Sequence, residues 1–260
     1  MENLKKLGSA IETYVHPTTY PIAIKMLTNE AEIPEGIERV QKMFGHQLIT
    51  CQAWGMTRRN GTPMALLKDD IFCPTSIISL GLAEPPNFWT EGGFYLDWYT
   101  PTRQAAKTMA TEMPRLPLGK YVGLVLAPLH TCNFEPDLVI IYGNSAQILR
   151  LICAAVSQTG SNFSTSIWAP GVCTYTIAST VLKGNCQFAI PCYGDRECEG
   201  TADDELIFTI PSSRFEEIAS SLKFFFDHAT PWSGHGRVTE RLLHYTPVLP
   251  DTYVKVRAMM

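Results

Sequence analysis

The stretches Val122-Gly-Leu-Val-Leu-Ala127 and Leu138-Val-Ile-Ile-Tyr142 carry no charged side chain and are apolar or aromatic at every position but one glycine. A strand with one solvated face alternates between polar and apolar residues, whereas a strand covered on both faces is apolar throughout. We therefore predict a sheet covered on both faces. The fold class that follows is α/β (or α+β), with a mixed sheet.

The sequence around Cys51 and Cys73 predicts two helices. Apolar residues at spacings of three and four predict a helix over Gly36–Gly55, with Cys51 on its apolar face near the C-terminal end. Pro74 suits the first turn of another helix and Gly81 suits its end, so we expect Cys73 at the N-cap position.

Two charged segments read as solvated surface. Arg58 and Arg59 come directly before Asn60-Gly61, a strong turn signal. The segment Tyr193–Glu205 carries six acidic residues, which is typical of a solvated loop. We expect both segments to lie outside the core.

Composition limits the classes of function. Of the 260 residues, 45% are hydrophobic and 18% charged, which supplies a core and excludes a largely disordered chain. The 21 basic residues form no stripe and the net charge is -4, which argues against a nucleic-acid partner. With no leader pattern and no apolar run long enough to cross a bilayer, we expect a cytoplasmic protein without a membrane partner.

The chain has 8 cysteines but no Cys-x-x-Cys spacing. Disulfides are rare in cytosolic proteins, so three uses remain: buried apolar thiols, ligands of a metal or cluster, and a nucleophile. Without a local ligand pair, any metal site must be assembled from distant segments.

A weak internal repeat is visible. In each of the segments 19–82 and 136–211, a predicted strand is followed by a helix with a cysteine, a polar stretch and a second cysteine. The sequence that begins at Cys73 (CPTSIISLGL) also resembles the sequence that begins at Cys173 (CTYTIASTVL). The same alignment matches Cys51 with Cys153. We predict two similar halves related by a pseudo-two-fold axis.

Several motifs occur together in order: HQLITCQ at 46–52, IFCPTS at 71–76, APL at 127–129, FEPDLVIIYGN at 134–144 and PCYGDR at 191–196. Over about residues 5–225 the chain resembles DUF169, a family of unknown function found mainly in anaerobic bacteria and archaea. The resemblance implies a cytoplasmic α/β protein, here a single domain over 1–260 with a turn-rich C-terminal extension over 227–260.

The resemblance also singles out four cysteines. The family pattern carries cysteines at the positions of Cys51, Cys73, Cys173 and Cys192. The other four, Cys132, Cys153, Cys186 and Cys198, are not part of that pattern. The family arginine usually follows Gly-Ser, but Arg196 follows Gly194-Asp195, which leaves the role of Asp195 open.

Four thiolates would suit a [4Fe–4S] cluster, which is held by four cysteines. A helix that begins at Cys73-Pro74 would lower the pKa of Cys73 through its dipole and its free amide groups. We therefore predict that the sulfurs of the four family cysteines lie together in one pocket, with Cys51 as the weakest ligand. Zinc is the alternative metal, and iron–sulfur is favoured because zinc-type Cys-x-x-Cys pairs are absent and because the family is found in anaerobes.

The expected function is a cysteine-ligated iron–sulfur protein of anaerobic metabolism, in a redox or accessory role beside a redox or enzyme partner protein. One alternative is an enzyme that uses a flavin or tetrapyrrole cofactor, or the Cys73 thiolate as nucleophile. A structural or assembly protein whose cysteines fill the core is another. Homo-oligomer formation stays open.

Overall fold

A computed structural model describes residues 2–167, 171–228 and 251–260. The strands are β1 (Ile22–Leu27), β2 (Met64–Leu67), β3 (Gly123–Pro128), β4 (Leu138–Gly143), β5 (Gln187–Ala189) and β6 (Leu206–Pro211). The helices are α1 (Glu2–Tyr14), α2 (Val40–Phe44), α3 (Thr50–Asn60), α4 (Pro74–Ser79), α5 (Asn87–Thr90), α6 (Arg103–Glu112), α7 (Ser145–Val156), α8 (Ser179–Lys183), α9 (Phe215–His228) and α10 (Asp251–Met259). Two π-helical turns, π1 (Thr174–Ala178) and π2 (Asp195–Glu199), complete the elements used below.

The described strands form one six-stranded sheet in the order β2-β3-β1-β4-β6-β5. Every pair of neighbouring strands in it is antiparallel, so the prediction of a mixed sheet is wrong. Continuous apolar strands had suggested parallel pairing, but burial on both faces produces the same pattern whatever the strand direction. The two strands predicted from sequence are confirmed as β3 and β4.

Helices cover both faces of the sheet, which makes the protein mixed α/β as predicted. Alternate strand residues point to opposite faces, so Ala23 and Val139 belong to one core and Ile24 and Ile140 to the other. The first core is closed by α1, α7 and α9. The second is closed by α3 and by the segment that contains π1. This second layer carries the four family cysteines.

The predicted helix over Gly36–Gly55 is wrong. The chain forms the short helix α2, ends it at Gly45 in the left-handed conformation (φ 73), and starts α3 at Thr50. Glycine is tolerated at that φ because it lacks a Cβ atom. Cys51 is consequently in the first turn of α3 and not near the C-terminal end of a helix.

The alignment behind the predicted repeat does not hold in space. It matched the helix at Cys51 with the helix at Cys153, but α3 packs on β1 and β3 from one face and α7 packs on β4 and β6 from the other. A two-fold axis normal to a sheet keeps equivalent helices on one face, so α3 and α7 are not equivalent.

The predicted C-terminal extension over 227–260 lies mostly outside the described residues. Residues 229–250 are not described. Within the rest, α9 continues to His228 and Asp251–Met259 forms the helix α10, none of whose residues is buried.

Candidate metal centre

Cys51, Cys192 and Asp195 form the tightest group of metal-ligating side chains in the described part of the chain. Their sulfur and carboxylate ligand atoms lie within 4.8 Å of one another. Packing of α3 against π2 brings them together, because Cys51 is in the first turn of α3 and Asp195 begins π2. Gly194 allows this approach: a Cβ atom there would lie 3.3 Å from the sulfur of Cys51 and 3.8 Å from that of Cys192.

The other two family cysteines belong to the same layer. Cys73 is the N-cap of α4 and Cys173 immediately precedes π1, and these two elements pack against each other. Burial raises the pKa of Cys173, and the charges of Cys73, Cys192 and Asp195 raise it further. Each of the four sulfurs therefore lies within electrostatic reach of at least one other.

All four cysteines lie at the start of a helical segment. Cys51 and Cys173 are in the first turns of the segments 50–60 and 172–183, while Cys73 and Cys192 come directly before the helical residues 74–79 and 193–199. The N-terminal end of a helix carries partial positive charge and free amide donors, which favour an anion. The arrangement suits a negatively charged centre.

The predicted N-cap position of Cys73 is confirmed, with Pro74 in the first turn of α4. The lowered pKa expected for this thiol is wrong. Burial raises the pKa of Cys73, and the hydrogen bonds from the amides of Ser76 and Thr75 do not offset it. The structure thus does not support Cys73 as the activated nucleophile.

Cys192 is the more acidic thiol of this group. A hydrogen bond from the Cys51 thiol lowers the pKa of Cys192 to about 5 against the opposing effect of burial, and the amides of Val172 and Asp195 add to it. The pKa of Cys51 is raised well above its usual value by the same hydrogen bond and by burial. The hydrogen bond thus shifts the pKa values of the two thiols in opposite directions, and Cys192 is the more acidic of the pair.

Asp195 is fully buried beside this thiol. The hydroxyl of Tyr142 donates to its Oδ1 atom at 3.1 Å, and the amide of Cys192 donates to its Oδ2 atom at 3.1 Å. Burial raises the pKa of Asp195 well above its usual value, and the neighbouring Cys192 charge raises it further. Within the described residues, no lysine or arginine forms an ion pair with this carboxylate.

Arg58 lies behind the site and contradicts the prediction of a solvated turn. Its side chain is fully buried, its Cζ atom lies 3.9 Å from the centre of the Tyr142 ring, and it forms ion pairs with Glu199 and Glu205. The acidic segment is likewise not uniformly solvated, since Asp195 and Glu199 have fully buried side chains. The sequence near Arg58 could not predict its burial, because the carboxylates that pair with it come from about 140 positions further along the chain.

A family model described as "Uncharacterised ArCR, COG2043" (DUF169) matches residues 10–221. The chain belongs to the DUF169 family. This DUF169 protein is also 23% identical over 207 residues to the uncharacterized protein MJ0308 of Methanocaldococcus jannaschii, an alignment that covers 78% of this chain and 87% of the relative. No solved structure matches it significantly.

The cysteines outside the DUF169 pattern have different surroundings. Cys132 and Cys186 are buried in the core on the opposite face of the sheet, Cys153 is half-buried in α7, and Cys198 is exposed. All 8 cysteines are free thiols. Among the described helices, none is long and apolar enough to cross a membrane.

Proposed function

We propose that this protein binds a thiolate-ligated metal centre, an iron–sulfur cluster held by Cys51, Cys73, Cys173 and Cys192. The observation that carries the proposal is the buried Cys51–Cys192–Asp195 group, whose ligand atoms lie within 4.8 Å of one another. We propose a redox or accessory role for the centre.

Charge balance favours a metal over four cysteines that merely fill the core. A core thiol is neutral and needs no polar neighbours. Here the sulfur of Cys192 lies within 4.8 Å of the buried carboxyl of Asp195, and ionising two neighbouring acidic groups away from water is costly unless they are paired or coordinate a metal. A bound cation supplies the missing positive charge.

The donor set favours iron–sulfur. Four cysteine thiolates are the usual ligands of [2Fe–2S] and [4Fe–4S] clusters, and helix starts stabilise the net negative charge of such a centre by about 0.3–1 kcal/mol each. The occurrence mainly in anaerobes that the resemblance to DUF169 implies agrees with an oxygen-sensitive group.

A single zinc ion is the second candidate, and the close spacing of Cys51 and Cys192 favours it. Zinc–sulfur bonds of about 2.3 Å in a tetrahedron place two sulfurs about 3.8 Å apart. The two sulfurs here lie within 4.8 Å, so a small closure of the site would accommodate one ion.

A redox role is supported by the position of the site near the surface. Cys73 and Cys192 are each partly exposed, and each is next to an exposed aromatic side chain, Phe72 and Tyr193 respectively. We expect a redox or enzyme partner protein to approach the centre from this side.

The test is anaerobic purification followed by a visible spectrum and by analysis of iron, sulfide and zinc. We expect a broad absorption band near 400 nm together with iron and sulfide. Replacing Cys51, Cys73, Cys173 or Cys192 by serine should remove most of the metal.

Cys153→Ser and Cys198→Ser are the matched controls, because Cys153 lies in α7 on the opposite face of the sheet and Cys198, although it belongs to π2, is exposed. We expect both variants to keep the wild-type metal content. Zinc without visible absorption would select the second candidate. Metal-free wild type that takes up neither iron and sulfide nor zinc would leave the cysteines as core thiols.

A further inference from the structure

The strand order of the sheet is two-fold symmetric. Outward from the central β1–β4 pair, the halves read β1-β3-β2 and β4-β6-β5. Both central strands have 6 residues, and Ala23, the second residue of β1, pairs with Val139, the second residue of β4. β3 and β6 end in Pro128 and Pro211, and each is followed by a 3-10 turn. An axis through the Ala23–Val139 pair relates the two sets of strands.

The helices that lead into the edge strands β2 and β5 obey the same axis. α3 begins beside Cys51 and ends at Gly61 in the left-handed conformation. The π1–α8 segment begins beside Cys173 and ends at Gly184, also left-handed. The interval from Cys173 to Gly184 is one residue longer than the interval from Cys51 to Gly61. This is expected when a π-helical turn replaces an α-helical turn. Cys51 and Cys173 therefore occupy equivalent positions.

Cys73 and Cys192 are the second equivalent pair. Each follows an edge strand, β2 or β5, and each directly precedes a helical segment. The site thus receives two thiols from each half, one from a helix before the edge strand and one from a helical segment after it.

The two halves carry different residues three positions after this second cysteine. Ser76 occupies the position in the first half, where its hydroxyl is hydrogen-bonded to the hydroxyl of Thr50 at the start of α3, and it also lowers the pKa of the nearby Cys173 thiol in the second half. Asp195 occupies the position in the second half, and it lies within 4.8 Å of Cys51 in the first half. Both residues lie near the helix-start cysteine of the other half, but one is a neutral hydroxyl and the other a carboxyl.

We propose that Asp195 is an oxygen ligand of the metal centre, present on the Cys51–Cys192 side only, an inference that rests on the function proposed above. The serine at the equivalent position shows that packing there needs only a small polar group. The carboxyl is fully buried, and its hydrogen bonds from Tyr142 and from the Cys192 amide orient it toward the two sulfurs. The four cysteine ligands are then related by the two-fold axis, but only the metal beside Cys51 and Cys192 has an additional oxygen ligand.

The expected consequence is a metal atom of mixed ligation. Carboxylate is a harder donor than thiolate and holds iron or zinc less strongly than sulfur does. In a loaded site, Asp195 would be the ligand that a small external donor molecule displaces, with the carboxylate oxygen leaving the metal atom as the new donor binds.

X-ray absorption at the edge of the bound metal tests the ligand directly in the wild-type protein. We expect sulfur neighbours near 2.3 Å and an additional oxygen neighbour at about 2.0–2.2 Å. A wild-type centre whose spectrum requires sulfur neighbours alone would overturn the proposal, while leaving the proposed metal-binding function intact.

Asp195→Asn keeps the side-chain shape but removes the charge, and Ser76→Ala at the equivalent position is its control. We measure the rate at which the anaerobic protein loses metal to excess chelator. The first variant should lose metal at least tenfold faster than wild type, and the second less than twofold faster. Equal rates for wild type and Asp195→Asn would contradict the proposal. A wild type that holds no metal would instead refute the proposed function itself.

Discussion

Replacing Arg58 by methionine removes the fully buried positive group that two carboxylates share in the network behind the site. The guanidinium donates to Glu199 and Glu205, and the side chain of Glu199 is fully buried while that of Glu205 is 11% exposed. Methionine fills a similar volume but cannot donate. Arg58→Met therefore leaves these two carboxylates with only the partly exposed Arg59 as a counter-charge.

The expected loss follows from this burial. Breaking a buried ion pair by removing one partner costs about 3–5 kcal/mol, and loss of the contact with the Tyr142 ring adds about 0.5–2 kcal/mol. A domain of ordinary stability has about 5–15 kcal/mol in total. We expect Arg58→Met to lower the free energy of unfolding by about 4 kcal/mol at pH 7.

Urea unfolding of the metal-free protein measures this loss. With a slope of about 2 kcal/mol per molar urea, the midpoint should fall by about 2 M. Arg59→Met is the matched control, because Arg59 is adjacent in sequence and contacts the same carboxylates but is 39% exposed. An exposed pair contributes about 0–1 kcal/mol, so the control should change little.

The loss of unfolding free energy in Arg58→Met should also depend on pH. Burial alone would raise the pKa of Glu205, but the hydrogen bonds from Arg58 outweigh it and lower that pKa in the wild type. This contribution to stability is present above the unfolded-state pKa and is lost as pH falls through the folded-state value. In Arg58→Met the Glu205 carboxylate, which has lost these hydrogen bonds, takes up a proton on acidification, so the difference between variant and wild type should shrink from pH 7 to pH 4.5.

A difference below about 1 kcal/mol at pH 7 would refute this account of Arg58, since that is the range of a solvated pair. The same conclusion would follow if adding Glu199→Gln and Glu205→Gln to Arg58→Met recovered none of the loss. Neutral amides have no unpaired charge to bury, so partial recovery is expected.

Three further substitutions test close contacts and core packing. Gly55→Ala would place a Cβ atom 2.4 Å from the Cγ atom of Glu199, so thermal unfolding should show a loss of about 1–3 kcal/mol. Gly194→Ala would press on the Cys51 sulfur, and elemental analysis should find less than half of the wild-type metal in protein that remains folded. Ile140→Ala in the central strand β4 opens a cavity at a fully buried position, and urea unfolding should show a loss of about 2–5 kcal/mol.

Sequence patterns predicted the parts of the fold that depend on local chemistry. The apolar runs located β3 and β4, and Pro74 located the start of α4 with Cys73 as its N-cap. The Gly36–Gly55 helix was wrong because apolar spacing continues across Gly45, where the backbone turns left-handed. Periodicity records which residues face the core, and it does not record where a helix is interrupted.

The parts of the site that sequence did not predict depend on long-range pairing. Arg58 lies in a polar segment, and only the arrival of Glu199 and Glu205 explains its burial. Asp195 belongs to the acidic segment that was predicted to face solvent. The topological equivalence of Asp195 with Ser76 requires the strand order, which neither short motif contains.

The central β1–β4 pair has a consequence for how the protein is made. Cys51 and Cys73 leave the ribosome first, and Cys173 follows Cys73 by 100 residues, or roughly 5–20 s at ordinary rates of synthesis. Until β4 joins β1, the early thiols have neither their two counterparts nor the carboxylate. We expect a chain arrested before Gln187 to capture far less metal than the complete chain, which metal analysis of the truncated product would measure. Metal loading in this protein would then follow the synthesis of both halves of the sheet.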